Sequence, residues 1–531
     1  MVLKEGATRS RGALVQRGNI TAAKIIAELI KSSLGPRGMD KMLVDSLGDI
    51  TITNDGYEIL DEADIEHPAA KIIVELAKTQ DEVAGDGTTT AVVLAGALLK
   101  NAEELLEKKI HPSTIVTGYR KASDESIRVL NKLAQEINRD DASMLRKVAE
   151  TAMRGKATDA AKTLFSDIAI AAVKLVAEDN DGVLLVDKDD IQIVKSVGRG
   201  LLDSYLVQGL IIDKEVVHPD MPKHLENAKI AVIDTALEIE KPEFDARIRM
   251  RDPTQIRAFL DEEERLLKEM VDKIVSTGVN VVMCQRGIDD LAQHYLMKNQ
   301  ILSVRRIKMS DVERLSKATG AKIVTNIDEM SSDDLGWAEL VREEKTGEDK
   351  FIFVEGCKNP RAVSIMMRAG FERMLDEAER SMQDGIGVLV DVFKENKIVA
   401  GGGAIETELA KQIRDFSTKI SGREQLAVEA FTEALEEIPT VLSENAGLDP
   451  IDIMVELRAA HEKEGGAWFG INVLTGEVTD MADLGILEPV IVKRQAIKSA
   501  VEAASMILRI DDMIASSKAP PAPEPPPGAE Y

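Results

Sequence analysis

The sequence predicts a multidomain α and α/β protein in which a central α/β region interrupts a mainly helical domain. Three observations predict it. The chain has 531 residues, too many for a single hydrophobic core. Both ends are rich in Ala, Leu, Glu and Lys at helical spacing, whereas the middle alternates short β-rich runs with helical ones. Glycine-bounded motifs mark element ends far apart in the sequence. An insertion of this kind is tolerated because domain termini lie at the surface and often close together.

The elements follow in order. Residues 20–34 read as an amphipathic helix, with Ile25, Ile26, Leu29, Ile30 and Leu34 at helical spacing, and Gly35-Pro36 stops it. Met42-Leu43-Val44 and Ile50-Thr51-Ile52 flank a turn and read as a hairpin. Asn54-Asp55-Gly56 is a tight turn. Helices are expected at about 68–83, 88–108, 113–135 and 142–180, the last broken near Gly155. After Gly182 the texture changes, starting with Val183-Leu184-Leu185-Val186. Strands Ile230–Ile233, Val279–Met283, Ile301–Ile307, Phe351–Val354 and Ala362–Met367 then alternate with helices at about 253–276 and 288–298. Beyond residue 370 the chain is expected to be helical again to about 517. The Pro-rich end from Ala519 cannot pack and should be polyproline-like or disordered.

Composition excludes several classes. The net charge of −26 and the lack of a basic run argue against nucleic acid and anionic lipid as partners. Cys284 and Cys357 are far apart, which suits a reducing compartment and rules out a thiolate metal cluster. The six histidines show no zinc spacing. No apolar run approaches the ~20 residues that span a bilayer, and the first residues lack an apolar signal core. A soluble, cytoplasmic protein is expected. Aromatics make up 3% of the chain, so its cores must be built from Ala, Val, Ile, Leu and Met.

Gly85-Asp86-Gly87-Thr88-Thr89-Thr90 opens an apolar helix. Two glycines let backbone approach a bound group, and a helix N-terminus attracts anions through its unpaired N–H groups and its dipole. Asp86 would repel a bare phosphate, but it fits if it holds a Mg2+ that the phosphates share. The simplest reading is a Mg-nucleotide site. There is no Gly-Lys-Ser/Thr, so the positive charge of the common P-loop must come from elsewhere. Leu34-Gly35-Pro36-Arg37-Gly38, Asn54-Asp55-Gly56 and Ala400-Gly401-Gly402-Gly403-Ala404 are further candidate parts of the site.

In this order the motifs are specific. With Glu444-Asn445-Ala446-Gly447-Leu448-Asp449-Pro450 and Ile507-Leu508-Arg509-Ile510-Asp511-Asp512, the chain resembles the group II chaperonins over residues 3–515. The resemblance implies the chaperonin fold: an equatorial domain (1–143 and 402–517), an intermediate domain (144–212 and 363–401) and an apical domain (213–362). The apical domain would carry a helical protrusion at about 243–273, a built-in lid, so that no separate lid protein is needed. It also implies an ATP-dependent chaperone and ATPase. Such a protein assembles with itself or paralogous subunits into a double ring, eight or nine per ring, around non-native polypeptides.

The resemblance also assigns roles. Asp86 matches the Mg2+ ligand, and K+ is a further candidate ion. Leu34, Gly35, Pro36, Gly56, Gly87, Thr88, Thr89, Thr90 and Gly402 match nucleotide contacts. Asn472, Glu488 and Lys493 match positions near base and ribose. Gly155 and Lys156 match a segment that reaches the γ-phosphate on ring closure, so Lys156 would supply the missing charge. Asp384 matches the aspartate that activates water, and Asp55 a second carboxylate near it. Phosphoryl transfer is mostly positioning and charge neutralisation, for which these residue types suffice. Substrate binding is expected on an apical helix through Tyr295, Met297 and Lys298, which mix apolar and polar character.

Several positions depart from the family pattern: Tyr57, Ala84, Gly385, and Met367-Arg368-Ala369-Gly370 in place of Arg-Gly-Gly. The departures near Asp384 and Asn54 motivate an alternative, a structural or regulatory ring subunit that binds nucleotide with little turnover.

Overall fold

The computed structural model describes residues 8–45, 47–156, 158–180, 183–239, 253–347, 349–358 and 360–515. The chain divides into two compact units. One joins Met1–Glu136 to Lys397–Tyr531, and the other is Ile137–Asn396. The discontinuous helical body expected from the sequence is therefore present.

The first unit is built around the Thr88–Glu107 helix, whose Ala91, Val92, Leu94, Ala95, Leu98, Leu99 and Ala102 are all buried. It packs among the helices Ala13–Lys31, Glu424–Asn445 and Val490–Leu508. Ala, Val, Ile and Leu make up most of the core, with Tyr119 and Phe431 buried among them. The Tyr119 hydroxyl donates to Leu98 O at 2.7 Å, which satisfies one of the few large polar groups inside. Helix starts follow local chemistry. Pro68, Pro112 and Pro450 each occupy the first turn, and His67, His111 and Asp449 accept from backbone N–H groups there.

Four small sheets complete this unit. Thr8–Arg11 pairs with Asp512–Ala515, and Lys41–Val44 with Ile50–Thr53 as the expected hairpin. Lys397–Ala400 lies between Leu487–Pro489 and Gln135–Glu136. Phe469–Asn472 pairs with Glu477–Asp480. The expectation of a purely helical stretch from 370 to about 517 is thus corrected. Short strands sit between the helices because Ile398, Val399 and Ile471 need burial on a pleated surface.

The first helix also corrects the sequence reading. It runs Ala13–Lys31, and its buried face is Val15, Ile20, Ala23, Ile26, Ala27 and Ile30. Ile25 and Leu29 are 62% and 39% exposed. The small Ala23 and Ala27 face wins because it permits the close crossing over Gly96 of the central helix. A Cβ there would stand 2.3 Å from Ala27 Cβ.

Among the described residues the second unit holds two main sheets and a two-stranded pair, Glu178–Asn180 with Val183–Leu185. In the larger, the order is Leu302–Val304, Val281–Cys284, His224–Ile233, Gly336–Thr346, Asp349–Glu355 and Gly209–Ile212, with Ile323–Val324 also paired to the His224 strand. The helices Pro253–Ser276, Asp290–Lys298 and Met309–Thr319 accompany it. The smaller sheet places Val363–Ala369 between Ile191–Val197, parallel, and Tyr205–Val207, antiparallel. Ala142–Met153, Lys162–Val176 and Glu372–Lys394 are its helices. The single broken helix expected at 142–180 is therefore two helices, joined through Gly155 and a 3-10 turn at Asp159–Ala161. Residues 243–252 of the expected lid and the tail from 516 lie outside the described residues.

Replacing Gly96 by Val should lower stability by about 1–3 kcal/mol, through overpacking against Ala27. Denaturant unfolding of the Gly96→Val chain with an unchanged midpoint would contradict this account of the helix crossing.

Candidate functional site

The loop around Asp86 is held from three sides within the first unit. The Pro68–Ala84 helix ends at Gly85 in the left-handed region, with φ 60°. Gly87 has φ 80° and precedes the Thr88–Glu107 helix. A Cβ on Gly87 would lie 2.7 Å from Val492 Cγ1, so only glycine fits there. Asp86 Oδ1 accepts from Gly87 N at 2.6 Å. The Gln80 amide donates to Asp86 O at 2.8 Å and to Val492 O at 3.2 Å, and thereby fastens the loop to the C-terminal helix. Gln80 is fully buried, and its Oε1 has no partner among the described residues.

The Asn54-Asp55-Gly56 turn packs on the same helix start. A Cβ on Gly56 would stand 2.5 Å from Thr89 Oγ1. Asp55 caps the helix Gly56–Glu62, accepting from Tyr57 N at 2.7 Å and Glu58 N at 3.0 Å. Its carboxylate thus keeps only part of its accepting capacity for other work. Tyr57 is half-buried against the helical core, which absorbs the unusual residue after Gly56. Gly35 has φ 81° and sits against Leu442, while Asn445 donates to Leu34 O at 2.9 Å.

The second glycine loop lies between the Lys397–Ala400 strand and the Ala404–Ser417 helix. Gly402 O accepts from Ile471 N at 2.9 Å. A Cβ on Gly401 would lie 2.6 Å from Glu488 Oε1, so Glu488 stands directly beside this loop. Lys493, on the Val490–Leu508 helix, bonds Glu488 at 2.7 Å and Glu406 at 2.8 Å. Lys493 and Glu406 are buried, and Glu488 is partly buried. Burial raises the Glu488 carboxyl; Lys493 opposes this, and the negative charges of Glu406 and Asp86 add to the rise. Burial by itself works against the Lys493 ammonium, but Glu406 and Glu488 outweigh it and hold its pKa above the ordinary lysine value. Sequence reasoning missed Glu406. Its signal was an acid in the first turn after the glycine loop. Asn472 ends its strand and caps a turn, with Oδ1 accepting from Leu474 N at 3.1 Å.

The start of the Thr88 helix and that of the Ala404 helix share one property. Each follows a left-handed glycine, and no side chain among the described residues caps it. Their first N–H groups are unpaired within the helix, and both helix dipoles are positive there. Two glycine loops that admit close approach, with Thr88 and Thr89 hydroxyls and the Asp86 carboxylate, suit a phosphate chain carrying a divalent cation.

In the second unit, Gly155 has φ 77° and turns the chain after the Ala142–Met153 helix, so that the Lys156 ammonium bonds the Asp384 carboxylate. Asp384 is buried on the Glu372–Lys394 helix. One turn earlier, Thr158 donates to Ser381 at 2.8 Å and pins the same segment. Gly385 has a packing reason: a Cβ there would collide with Met153 Cε at 1.9 Å.

On the Asp290–Lys298 helix, Leu296 and Ala292 are the core anchors. Tyr295 and Met297 are half-buried against that core. The Tyr295 hydroxyl donates to Glu264 at 2.5 Å, and the exposed Lys298 ammonium lies 5.8 Å from the Tyr295 ring.

The two glycine loops on a discontinuous helical unit, with an inserted α/β unit, are matched by a known family. The chain belongs to the TCP-1/cpn60 chaperonin family, whose description fits residues 26–518. Within it, the similarity is to the group II chaperonins. A thermosome subunit of Pyrococcus horikoshii is 58% identical over 518 residues, covering 98% of this chain and 94% of that one. A thermosome subunit beta of Sulfurisphaera tokodaii is 55% identical with the same coverage. The open-state monomer of a group II chaperonin from Methanococcoides burtonii matches with TM-score 0.61 and 42% identity, over 80% of this chain and all of that one. The fold is that of a multidomain chaperonin, and the family's work is that of a chaperone. Among the described residues, no helix is long and apolar enough to cross a membrane.

Lys493→Met leaves Glu406 and Glu488 buried without their shared cation. It should destabilise the chain by about 3–5 kcal/mol. A loss below ~1 kcal/mol in urea unfolding would remove the charge cluster from the account of this site.

Proposed function

We propose that this chain is the ATPase subunit of a ring-forming chaperone, which couples MgATP binding and hydrolysis to enclosure of non-native polypeptides. The observation that carries this is the pair of uncapped helix starts after glycine loops, at Thr88 and Ala404, with Asp86 beside the first. ATP would lie along these loops, contacted by Leu34, Gly35, Pro36, Gly56, Gly87, Thr88, Thr89, Thr90 and Gly402. Asn472, Glu488 and Lys493 would stand toward its base and ribose. Mg2+, held by Asp86, would neutralise phosphate charge; K+ is a second ion to test.

The chain's own residues do the rest. Asp384 orients the attacking water, assisted by Asp55, and Lys156, on the segment with Gly155, stabilises charge on the transferred phosphoryl group. Lys156 and Asp384 form an ion pair with each other. Tyr295, Met297 and Lys298 take part in holding clients. The subunit assembles with itself or paralogous subunits in a cytoplasmic double ring, eight or nine per ring. The second unit divides into an intermediate part (144–212 and 363–401) and an apical part (213–362) whose 243–273 segment acts as the lid. The two main sheets of that unit, each with its own helices, support this division.

A nucleotide-binding ring subunit with little turnover is the second reading. Its two motives weaken, because Met153 packs on Gly385 and the core accommodates Tyr57.

Asp384→Ala should retain MgATP binding and lose steady-state hydrolysis by about 100-fold or more. Unchanged hydrolysis would remove Asp384 from the mechanism. A wild-type chain that binds MgATP but hardly hydrolyses it, and does not aid refolding of a denatured client, would establish the second reading instead.

A further inference from the structure

Arg368 is the largest fully buried side chain of the described residues, with 2% of its surface exposed. It lies on the Val363–Ala369 strand, in the segment that departs from the family's Arg-Gly-Gly pattern. Its Nε and Nη1 are buried and have no hydrogen-bond partner among the described residues. The Tyr205 ring, 5.8 Å from the guanidinium carbon, offers a weak cation–π contact. A cation taken out of water without a counter-charge costs several kcal/mol. A water could accept one hydrogen bond but would leave the charge uncompensated.

A second orphan stands beside it. Ser196 is the register partner of Arg368 on the parallel Ile191–Val197 strand, so the two side chains leave the same face of the sheet. Ser196 is 2% exposed, and its Oγ also lacks a partner. Farther along that face, Val194, Met366 and Tyr205 pack on Phe351 and Phe353, which closes it to water on one side. A third buried hydroxyl without a partner, Thr346 Oγ1, comes from the hairpin that lies against this strand end. A Cβ on the neighbouring Gly347 would stand 3.6 Å from Val197 O.

The location suits a ligand. Both parallel strands run out at this end, and each is followed by glycine, Gly198 and Gly370. A Cβ on either would meet nothing within 4 Å. The carboxyl ends of parallel strands are the usual place for ligands in α/β sheets. A planar guanidinium presents paired donors that match two oxygens of one anion, and a serine hydroxyl adds a third. A spherical halide would use this fork poorly.

We propose that the adjoining ends of the Ile191–Val197 and Val363–Ala369 strands form a binding site for an inorganic oxyanion of the phosphate class, held by Arg368 and Ser196. The site is separate from the glycine loops and does not depend on the nucleotide reading. Binding there would supply the counter-charge of Arg368 and lock the two strands at the point where the chain leaves the smaller sheet.

Equilibrium dialysis of the full chain with radiolabelled phosphate tests this, with MgADP in excess to occupy the glycine loops. One saturable phosphate per chain is expected, displaced by sulfate but not by chloride at equal ionic strength. Arg368→Met should weaken it by about tenfold or more, and Ser196→Ala by about three- to tenfold. Phosphate should raise the unfolding temperature of the wild type and not that of Arg368→Met. If Arg368→Met fails to fold, Ser196→Ala and the sulfate–chloride comparison still decide. No saturable binding, equal displacement by chloride, or binding untouched by the substitutions would overturn the proposal. Phosphate retained at the glycine loops would survive Arg368→Met and so be told apart.

Discussion

The buried ammonium of Lys493 holds the candidate nucleotide site together. It sits between Glu406, in the first turn after one glycine loop, and Glu488, on the strand beside that loop. The same C-terminal helix carries Val492, whose carbonyl takes the Gln80 amide and whose side chain abuts Gly87. One helix from the end of the chain therefore fixes both loops, which come from residues 85–90 and 400–404. A buried charge cluster is a poor source of net stability, because desolvation offsets most of its Coulomb gain. What it does is join three segments, since Lys493 bonds both Glu406 and Glu488. That is a sensible investment where backbone N–H groups must point at one place.

Much of this was legible in the sequence, and for identifiable reasons. Pro68 and Gly85 bracket a helix, and Gly87 and the threonines start the next, because these residues have few conformational alternatives. The hairpin of Lys41–Val44 with Ile50–Thr53 was legible from the β-rich runs that flank a turn. The burial of the first helix was not. Ile25 and Leu29 form a plausible apolar stripe, yet the Ala23 and Ala27 face is the one inside. Hydrophobicity ranks side chains singly, whereas the choice was made by how close another helix could come.

The site shows the same boundary. Glycine motifs announced where backbone is exposed, but Glu406 has no motif of its own and becomes significant only when Lys493 is beside it. Gly385 departs from the family pattern, and a glycine inside a helix costs up to about 1 kcal/mol against alanine. The structure turns it into the socket for Met153. Departures from a pattern cannot be priced until the neighbour is known.

The pairing of Thr8–Arg11 with Asp512–Ala515 has a consequence for the ribosome. The first strand of the chain waits for the last one to be translated. At the usual 5–20 residues per second, that wait is about 25–100 s. During this time the Thr88 helix lacks the 424–445 and 490–508 helices that cover it. The apolar face of the Thr88 helix therefore stays uncovered until residues 424–508 have been made.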